Sequence, residues 1–458
     1  MKLKQLFAPS DMTTGQPWKK IAIFTIPMII GNIAQQLYST VDSIVVGRYV
    51  GDNALAAVGS AGPIFNLLLV LFMGISVGAS IMVAQYFGAK DKESLSKAIG
   101  NCITLTGIAS IIIMVVGALT IRPLLVLLKT PDSIIDWCYS YLMIQLLGIA
   151  GVAYYNILCG VLRGLGDSLS ALIYLLVTTV LNIILDLVFV TKLNMGVAGA
   201  ALATIIAQAV SAVLCLRKLF NMKDVFHLGI RHLKPTKLHA GKMIKLGLPS
   251  GLTQAIFSMA MIVVQSLTNS FGEMVIAASV IIMRVDGFAM MPNFSFGTAM
   301  TTYSGQNIGA KRIDRIEKGA KQGTLIAAGT SAFITMFLLI FGKYLMAIFT
   351  TTTELVNLSA NMMKILAVGY IAMAITQSLS GIIRGAGDTL TPMWISFVTT
   401  IIIRIPLAYG IAYFTKSPEL PNGSYKCLYI SLLTSWVLGA IITTIFYIKG
   451  SWKKKSFT

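Results

Sequence analysis

Long apolar stretches constrain the fold of this chain more than any other feature. Only 12% of the residues are charged, against about 25% in a soluble domain. Twelve stretches are long and apolar enough to cross a bilayer, and each is continuous rather than alternating, which predicts helices and not barrel strands. The predicted spans, numbered 1 to 12, are 21–47, 54–86, 95–121, 133–162, 169–191, 195–219, 243–271, 275–305, 321–349, 354–383, 390–415 and 427–448. The fold class is therefore an all-α integral membrane protein.

Basic residues are distributed unevenly around these spans. The net charge of +19 could indicate a nucleic-acid partner. Most of the 36 Lys and Arg residues, however, fall in the N-terminal segment and in every second connection after it. The positive-inside rule then places both termini in the cytoplasm and the chain in the cell membrane. Anionic membrane lipid is a sufficient partner for the charge, and no nucleic-acid partner is expected.

Signals for processing, metals and disulfides are weak. No small-residue cleavage site follows span 1, so a removed signal peptide is not expected. The five cysteines are scattered without a CxxC pair, which argues against a disulfide framework or a metal site. His227, His232 and His239 lie in or near a long basic connection that is interpreted as a solvated linker. No cofactor is expected.

Two sequence motifs recur at one fixed spacing. GVLRGLGDSL at 160–169 recurs as GIIRGAGDTL at 381–390. QYFGAK at 85–90 recurs as QNIGAK at 306–311. Both pairs are 221 residues apart, so the chain is interpreted as two related halves of six spans each.

The repeat defines the predicted domains. These are an N-terminal six-helix bundle at 1–220, which carries the cation site introduced below, a cytoplasmic basic linker at 221–242, and a C-terminal six-helix bundle at 243–458. Because six is an even number, both halves have the same orientation. They are expected to be related by an axis along the membrane normal.

The RGxGD part of the longer motif is predicted to make a turn at the cytoplasmic rim. Gly164 and Gly385 are predicted to end a helix in the left-handed conformation. Asp167 and Asp388 are predicted to N-cap the helix that follows. A gating contact is the alternative that the motif leaves open.

Three acidic residues lie deep inside predicted spans: Asp42, Asp186 and Asp286. None has an acidic counterpart 221 residues away, so the shared fold does not require them. A carboxylate in hydrocarbon is costly unless it is paired, protonated or functional. These three residues are therefore the leading functional candidates.

Four polar residues are predicted to meet in the N-terminal half. Asn182 precedes Asp186 by four residues and shares its helix face. The helix rise places Asp42 and Thr204 at a similar depth. Their oxygen atoms suit a proton or a hard cation such as Na⁺. The group is interpreted as a cation-coupling site, and a structural cluster that holds three helices together is the alternative.

Candidate substrate-binding residues lie in spans 7 and 8. Methionines and aromatic side chains crowd this region, and they can accept varied ligands. A carboxylate near the midplane could attract a cationic drug. The candidates are Asp286, Met259, Met283, Met290 and Phe288. Ordinary packing is the alternative for each methionine.

Basic residues inside the C-terminal spans complicate that interpretation. Arg284, Lys364 and Arg404 all fall there. Lys364 is at about the depth of Asp286, so an ion pair between them is the alternative to substrate binding. The positive surplus also argues against a cavity for cations only.

Several segments resemble one transporter family. They are FTIPMIIGN with Pro27, STVDSIVVGRYVG with Asp42, the Asn182-xxx-Asp186 pair, and GAALATIIAQ with Thr204. Together with the half repeat they are similar, over essentially the whole chain, to the multidrug and toxin extrusion (MATE) transporters. The acids of the N-terminal half resemble the DinF-like branch, and span 7 lacks the acid typical of another large branch. The resemblance implies two pseudo-symmetric six-helix bundles around a central cavity.

The resemblance also implies a function. The expected protein is a monomeric secondary antiporter that exports amphipathic, often cationic drugs or toxins in exchange for H⁺ or Na⁺. Bending of span 1 at Pro27, coupled to protonation of Asp42, is one implied step, and a static kink is its alternative. A flippase or exporter of a lipid-linked or anionic small molecule is the alternative function. An enzyme is not expected, since no paired catalytic histidines, metal-ligand cluster or phosphate loop occur.

Overall fold

The computed structural model describes residues 9–127 and 130–454. The two ends of the predicted bundles, 1–8 and 455–458, lie outside the described residues. Spans 1 to 6 are Pro17–Tyr49, Asp52–Gly88, Lys92–Leu127, Asp132–Leu147 with Ile149–Gly164, Ser168–Asp186 with a π-helical turn at Leu187–Lys192, and Gly196–Phe220. Spans 7 to 12 are Lys237–Ser270, Glu273–Gly309, Ile313–Ala347, Thr353–Ala367 with Gly369–Gly385, Leu390–Phe397 with a π-helical segment at Val398–Arg404 and Ile405–Phe414, and Cys427–Lys449. A 3-10 turn at Ile230–Leu233 lies between the two sets. The all-helical fold of twelve predicted spans is confirmed when each bent pair of helices is taken as one span.

Span 4 is broken at Gly148, and span 10 is broken at Val368, directly before Gly369. The sequence predicts both as single helices, but the two parts are bent by 54° in span 4 and by 42° in span 10. A Cβ atom on Gly148 would lie 2.4 Å from Cβ of Ile205, and one on Gly369 would lie 2.6 Å from the ring of Trp436. The two glycines are 221 residues apart. The repeat therefore extends to the bends, where the missing side chain lets a neighbouring helix come close.

Glycines in the longer repeated motif bring helix backbones into contact. A Cβ atom on Gly164 would lie 2.6 Å from the carbonyl oxygen of Ser80 in span 2. A Cβ atom on Gly385 would lie 2.3 Å from the carbonyl oxygen of Thr301 in span 8. Apolar lipid gives helices little hydrophobic reason to associate, so close packing through small residues carries much of the stability.

In each RGxGD turn, the residue with the left-handed conformation is not the one that the sequence predicted. Gly166 has φ of +82° and Gly387 has φ of +98°, whereas the residues that follow Gly164 and Gly385 are right-handed. The prediction was wrong because each turn has two glycines, and the earlier one is needed for helix packing instead. The later glycine supplies the conformation that other residues avoid.

The predicted N-cap at Asp167 is confirmed, whereas the N-cap residue after the second turn is Thr389, one residue after the predicted Asp388. The Asp167 carboxylate accepts a hydrogen bond from the backbone nitrogen of Ser170 at 2.9 Å. The Asp388 carboxylate accepts bonds from the backbone nitrogen of Thr391 at 3.2 Å and from its hydroxyl at 2.7 Å. Each aspartate thus satisfies a free donor at the start of the next helix.

The basic connection at 221–242 is packed against span 3 rather than fully solvated. His232 and His239 are 2% and 5% exposed, so the solvated interpretation is wrong for them and holds for His227, which is exposed. A Cβ atom on Gly100 would lie 2.0 Å from the carbonyl oxygen of His232. The connection is therefore held on the start of span 3.

The helices group into two compact units. Within the described residues, the first unit comprises 9–11 and 26–251, and the second comprises 12–25 and 252–454. In the second unit, the backbone nitrogen of Met12 donates to the side-chain oxygen of Gln306 at 2.8 Å. The units differ from the predicted halves at spans 1 and 7. The start of each of these helices belongs to the unit formed mainly by the other half.

We expect Gly385→Ala to lower the apparent melting temperature of the purified protein, because the new methyl group must displace the backbone of span 8. Overpacking of this kind costs about 1–3 kcal/mol. Gly329→Ala is the matched control, since a Cβ atom there has nothing within 4 Å. Thermal unfolding in detergent compares the two variants. Equal melting temperatures would contradict the importance of the contact between spans 8 and 10.

Candidate functional site

The first unit brings together the four polar residues that the sequence placed at one depth. The carboxyl groups of Asp42 in span 1 and Asp186 in span 5 lie within hydrogen-bonding distance of each other. With its amide nitrogen facing Asp186, Asn182 donates to Oδ2 of that residue at 2.9 Å. The Asn182 oxygen is then 3.2 Å from the backbone nitrogen of Thr204 in span 6. These four residues are called the carboxylate cluster below.

Small residues allow spans 5 and 6 to approach each other at this cluster. Gly199, Ala200, Ala203 and Ala207 are all buried on span 6. A Cβ atom on Gly199 would lie 3.1 Å from Cβ of Phe189, in the π-helical turn that follows Asp186. Short side chains at helix contacts are the usual means of close packing in membranes. The segment GAALATIIAQ thus positions Thr204 beside span 5.

The carboxylate cluster has more hydrogen-bond acceptors than donors. Asn182 and Asp186 are 0% exposed. One oxygen of Asp42 and one oxygen of Asp186 are buried and have no hydrogen-bond partner among the described residues. Asp42 is partly buried. Two carboxylates this close, one of them fully buried, do not easily both stay ionised without a proton or a cation between them. The arrangement is therefore chemically suited to hold one positive charge.

Three polar side chains that the sequence analysis missed surround the cluster. The Tyr38 hydroxyl donates to Oγ1 of Thr204 at 3.3 Å. The Tyr141 hydroxyl interacts electrostatically with both carboxyl groups. The Gln145 amide donates to the Tyr141 hydroxyl at 3.2 Å. Helical spacing was the available signal, because Tyr38 precedes Asp42 by four residues and Tyr141 precedes Gln145 by four.

Oxygen atoms dominate the ligands that the cluster offers to an ion. Among the described residues, no group of three or more His, Cys, Asp or Glu side chains is placed to hold a metal. Two carboxylates with neutral oxygens from an amide and a hydroxyl suit a proton or a hard monovalent cation better than a transition metal.

A second polar group lies in the second unit, around a cavity of about 310 Å³. Asp286, Met283 and Met290, three of the five candidate substrate residues, line this cavity. Met259 and Phe288 do not line it, and their side chains are 61% and 44% exposed. Other lining residues include Phe257, Met261, Phe294, Leu428 and Trp436.

The alternative that pairs Asp286 with Lys364 is wrong. Lys364 lies on the exposed stripe of its helix, together with Asn361. The Asp286 carboxylate instead accepts a hydrogen bond from the Tyr370 hydroxyl at 2.8 Å, and the charged residue that interacts with it electrostatically is Arg404. The estimate from sequence compared positions along the helices and did not consider the direction in which Lys364 points.

Arg404 faces the same cavity from the π-helical segment of span 11. Its Nε atom is buried and has no hydrogen-bond partner among the described residues. Nearby, the Tyr429 hydroxyl donates to Oγ of Ser279 at 3.1 Å, and both of these residues also line the cavity. Asp286, Arg404, Ser279 and Tyr429 are thus polar residues in the lining of a mainly apolar site.

Two six-span repeats, each with polar residues that the other repeat lacks, are the architecture of a multi-pass membrane carrier. The family model MatE matches residues 27–188 and 249–410, which is more than half of the chain and one segment in each repeat. The chain belongs to this family of transporters, and the family resemblance is confirmed.

Relatives and solved structures agree with that assignment. The probable multidrug resistance protein YoeA of Bacillus subtilis (strain 168) is 27% identical over 454 residues, which cover 96% of this chain and 95% of YoeA. Crystal structures of MATE in a straight and in a bent conformation are each 25% identical and match with a TM-score of 0.89. They cover 99% and 100% of this chain, and the same shares of their own chains. This chain has the same fold as both of these MATE structures.

We expect Tyr370→Phe to destabilise the protein more than Tyr429→Phe. The first change removes a hydrogen bond to a carboxylate, which is worth about 1.5–3 kcal/mol, and the second removes one between neutral hydroxyls, worth about 0.5–1.5 kcal/mol. Apparent melting temperatures in detergent, measured without added ligand, would rank the two variants. A larger loss for Tyr429→Phe would show that the Asp286 carboxylate does not depend on Tyr370.

Proposed function

We propose that the protein is a secondary active antiporter that exports amphipathic, often cationic drugs or toxins in exchange for H⁺ or Na⁺. Membership of the MatE family and the multidrug-resistance relative support export of drugs. The observation that carries the coupling is the contact between Asp42 and Asp186, with one unpartnered oxygen on each. Ionisable side chains inside the membrane are costly, so their presence as a pair favours a functional role over a structural one.

The carboxylate cluster acts as the coupling site. A cation that enters from outside neutralises the Asp42–Asp186 pair and favours the conformation that releases the drug outward. Its later release to the cytoplasm resets the carrier. A ligand shifts a conformational equilibrium only through unequal affinity for the two states, so cation affinity must differ between them. Asn182 and Thr204 position the two carboxylates through the hydrogen bonds described above.

Span 1 is the proposed moving element. Its helix continues on both sides of Pro27, which cannot donate the backbone hydrogen bond of an ordinary helical residue. Asp42 lies further along the same helix. Protonation or cation binding at Asp42 can therefore change the packing of span 1, and the missing hydrogen bond at Pro27 lowers the energy needed to bend it.

The remaining features of the proposal follow the sequence. Both termini are cytoplasmic, because basic residues are concentrated on that side. The protein acts as a monomer. It belongs to the DinF-like branch, since its deep N-terminal acids resemble those of that branch. The cavity of the second unit, with Asp286, Met283 and Met290, binds the exported compound.

One observation favours the alternative function. Arg404 lines the cavity and brings a positive charge to the proposed substrate site. A guanidinium is the usual partner of carboxylate and phosphate groups. An exporter or flippase of an anionic or lipid-linked molecule would use this residue, whereas an exporter of simple cations would not.

We expect Asp42→Asn and Asp186→Asn each to reduce gradient-driven efflux to the level of liposomes without protein. An amide cannot bind and release the coupling proton or cation as a carboxylate does. Proteoliposomes loaded with a fluorescent cationic dye, with pH and sodium gradients imposed separately, would measure the efflux. The gradient that drives the wild type identifies the ion.

Asp136→Asn is the matched control for these variants. The same chemical change is made there at an exposed position of span 4, so efflux should remain at the wild-type level. Wild-type efflux in both Asp42→Asn and Asp186→Asn would place the coupling site elsewhere. The carboxylate cluster would then be structural.

We expect a cysteine at Glu273 to react with a membrane-impermeant thiol reagent added outside intact cells. A cysteine at Asp224, in the basic connection, should react only after the cells are opened. The five native cysteines are buried and give a low background. The reverse pattern of labelling would invert the proposed orientation of the termini.

A further inference from the structure

Two side chains of opposite charge share the cavity of the second unit without forming an ion pair. Asp286 and Arg404 both line it and interact electrostatically. The ion pairs within 4.0 Å among the described residues do not include them. The cavity therefore presents a separate negative and a separate positive group.

Arg404 has an unused capacity for hydrogen bonds. A guanidinium carries five N–H donors in a planar fork. The Nε atom is buried, and no acceptor among the described residues takes its hydrogen. Leaving a buried donor without a partner is costly. The residue is therefore placed to bind an acceptor that enters the cavity.

Asp286 is partly satisfied. The Tyr370 hydroxyl donates to one oxygen of its carboxylate at 2.8 Å. That bond orients the carboxylate toward the cavity and leaves acceptor capacity for a donor on a ligand. A cationic group would be the strongest partner for it.

Neither charge is part of the repeated scaffold. At the 221-residue offset, Asp286 corresponds to Phe65 and Arg404 to Ile183. The fold of a six-span half thus forms with apolar residues at both positions. The pair is an addition to the second unit, and residues that the fold does not need are candidates for recognition.

We propose that this cavity binds an amphipathic zwitterion, with an acidic group on Arg404 and a basic group on Asp286. Its apolar body would lie against Met283, Met290 and Trp436, which line the same cavity. The inference rests on the proposed role of this cavity in binding the exported compound. It extends that role by naming the charge pattern of the ligand.

The reason is the balance of charge around two partly buried groups. A ligand with only a positive charge leaves Arg404 without a partner. A ligand with only a negative charge is repelled by Asp286. A zwitterion supplies a partner to each group and leaves the occupied cavity neutral, so it loses least on leaving water.

Three probes with one apolar body test this proposal. Nε-dansyl-lysine is zwitterionic, its methyl ester is cationic, and its Nα-acetyl derivative is anionic. The dansyl group reports binding by its fluorescence in an apolar site. Wild-type protein in lipid nanodiscs, with no ion gradient, should bind the zwitterion about tenfold or more tightly than either derivative, since removing one member of a buried charge pair has an effect of this size.

Two variants assign the two charges. Arg404→Met should remove the preference for the zwitterion over the methyl ester, and Asp286→Asn should remove the preference over the acetyl derivative. A purely structural role would instead weaken all three probes by the same factor in each variant. That result, or equal affinity of the wild type for all three probes, would overturn the proposal.

The test is independent of ion coupling. Asp42→Asn should leave the order of the three affinities unchanged, because binding is measured at equilibrium and that residue belongs to the other unit. If efflux proves not to need a cation gradient, the coupling proposal fails while the selectivity remains measurable. If selectivity is absent while Asp42→Asn still blocks efflux, only the assignment of the ligand fails.

Discussion

The absence of water in the bilayer core is the constraint from which the rest of this structure follows. Each span must satisfy its own backbone hydrogen bonds, and helices gain little by burying apolar side chains from equally apolar lipid. Contact between helices therefore depends on glycines such as Gly164 and Gly385, where a carbonyl of the facing helix comes close enough to exclude a Cβ atom. Against that background, every intramembrane charge needs a separate explanation.

The same scaffold is used twice with different chemistry. The turns, the packing glycines and the bends of spans 4 and 10 recur in both halves, since they solve a backbone problem that both halves share. The polar side chains do not recur. One unit holds two acids in contact, and the other holds an acid and a base apart. The same six-span fold thus carries two different sets of polar side chains.

Much of the fold could be predicted from sequence because hydropathy and charge report directly on position relative to the membrane. The helix rise also placed Asp42, Asn182, Asp186 and Thr204 at one depth, and the structure brings them together. Depth does not report the direction in which a side chain points, and this is why the alternative that paired Asp286 with Lys364 was wrong. The bend at Gly148 was missed for a similar reason. It depends on which side chain of a neighbouring helix packs there.

The first residues of spans 1 and 7 each belong to the unit formed mainly by the other half of the chain. This arrangement affects the order in which the chain can be assembled. Residues Met12–Thr25 emerge early in synthesis, yet the unit to which they belong is formed mainly by Leu252–Thr458. The beginning of span 1 must therefore remain without its final neighbours until most of the chain has been made. Domains usually fold in the order of their synthesis, but here the first helix is completed by the last half. A chain that ended between the repeats would lack most of the unit to which residues 12–25 belong.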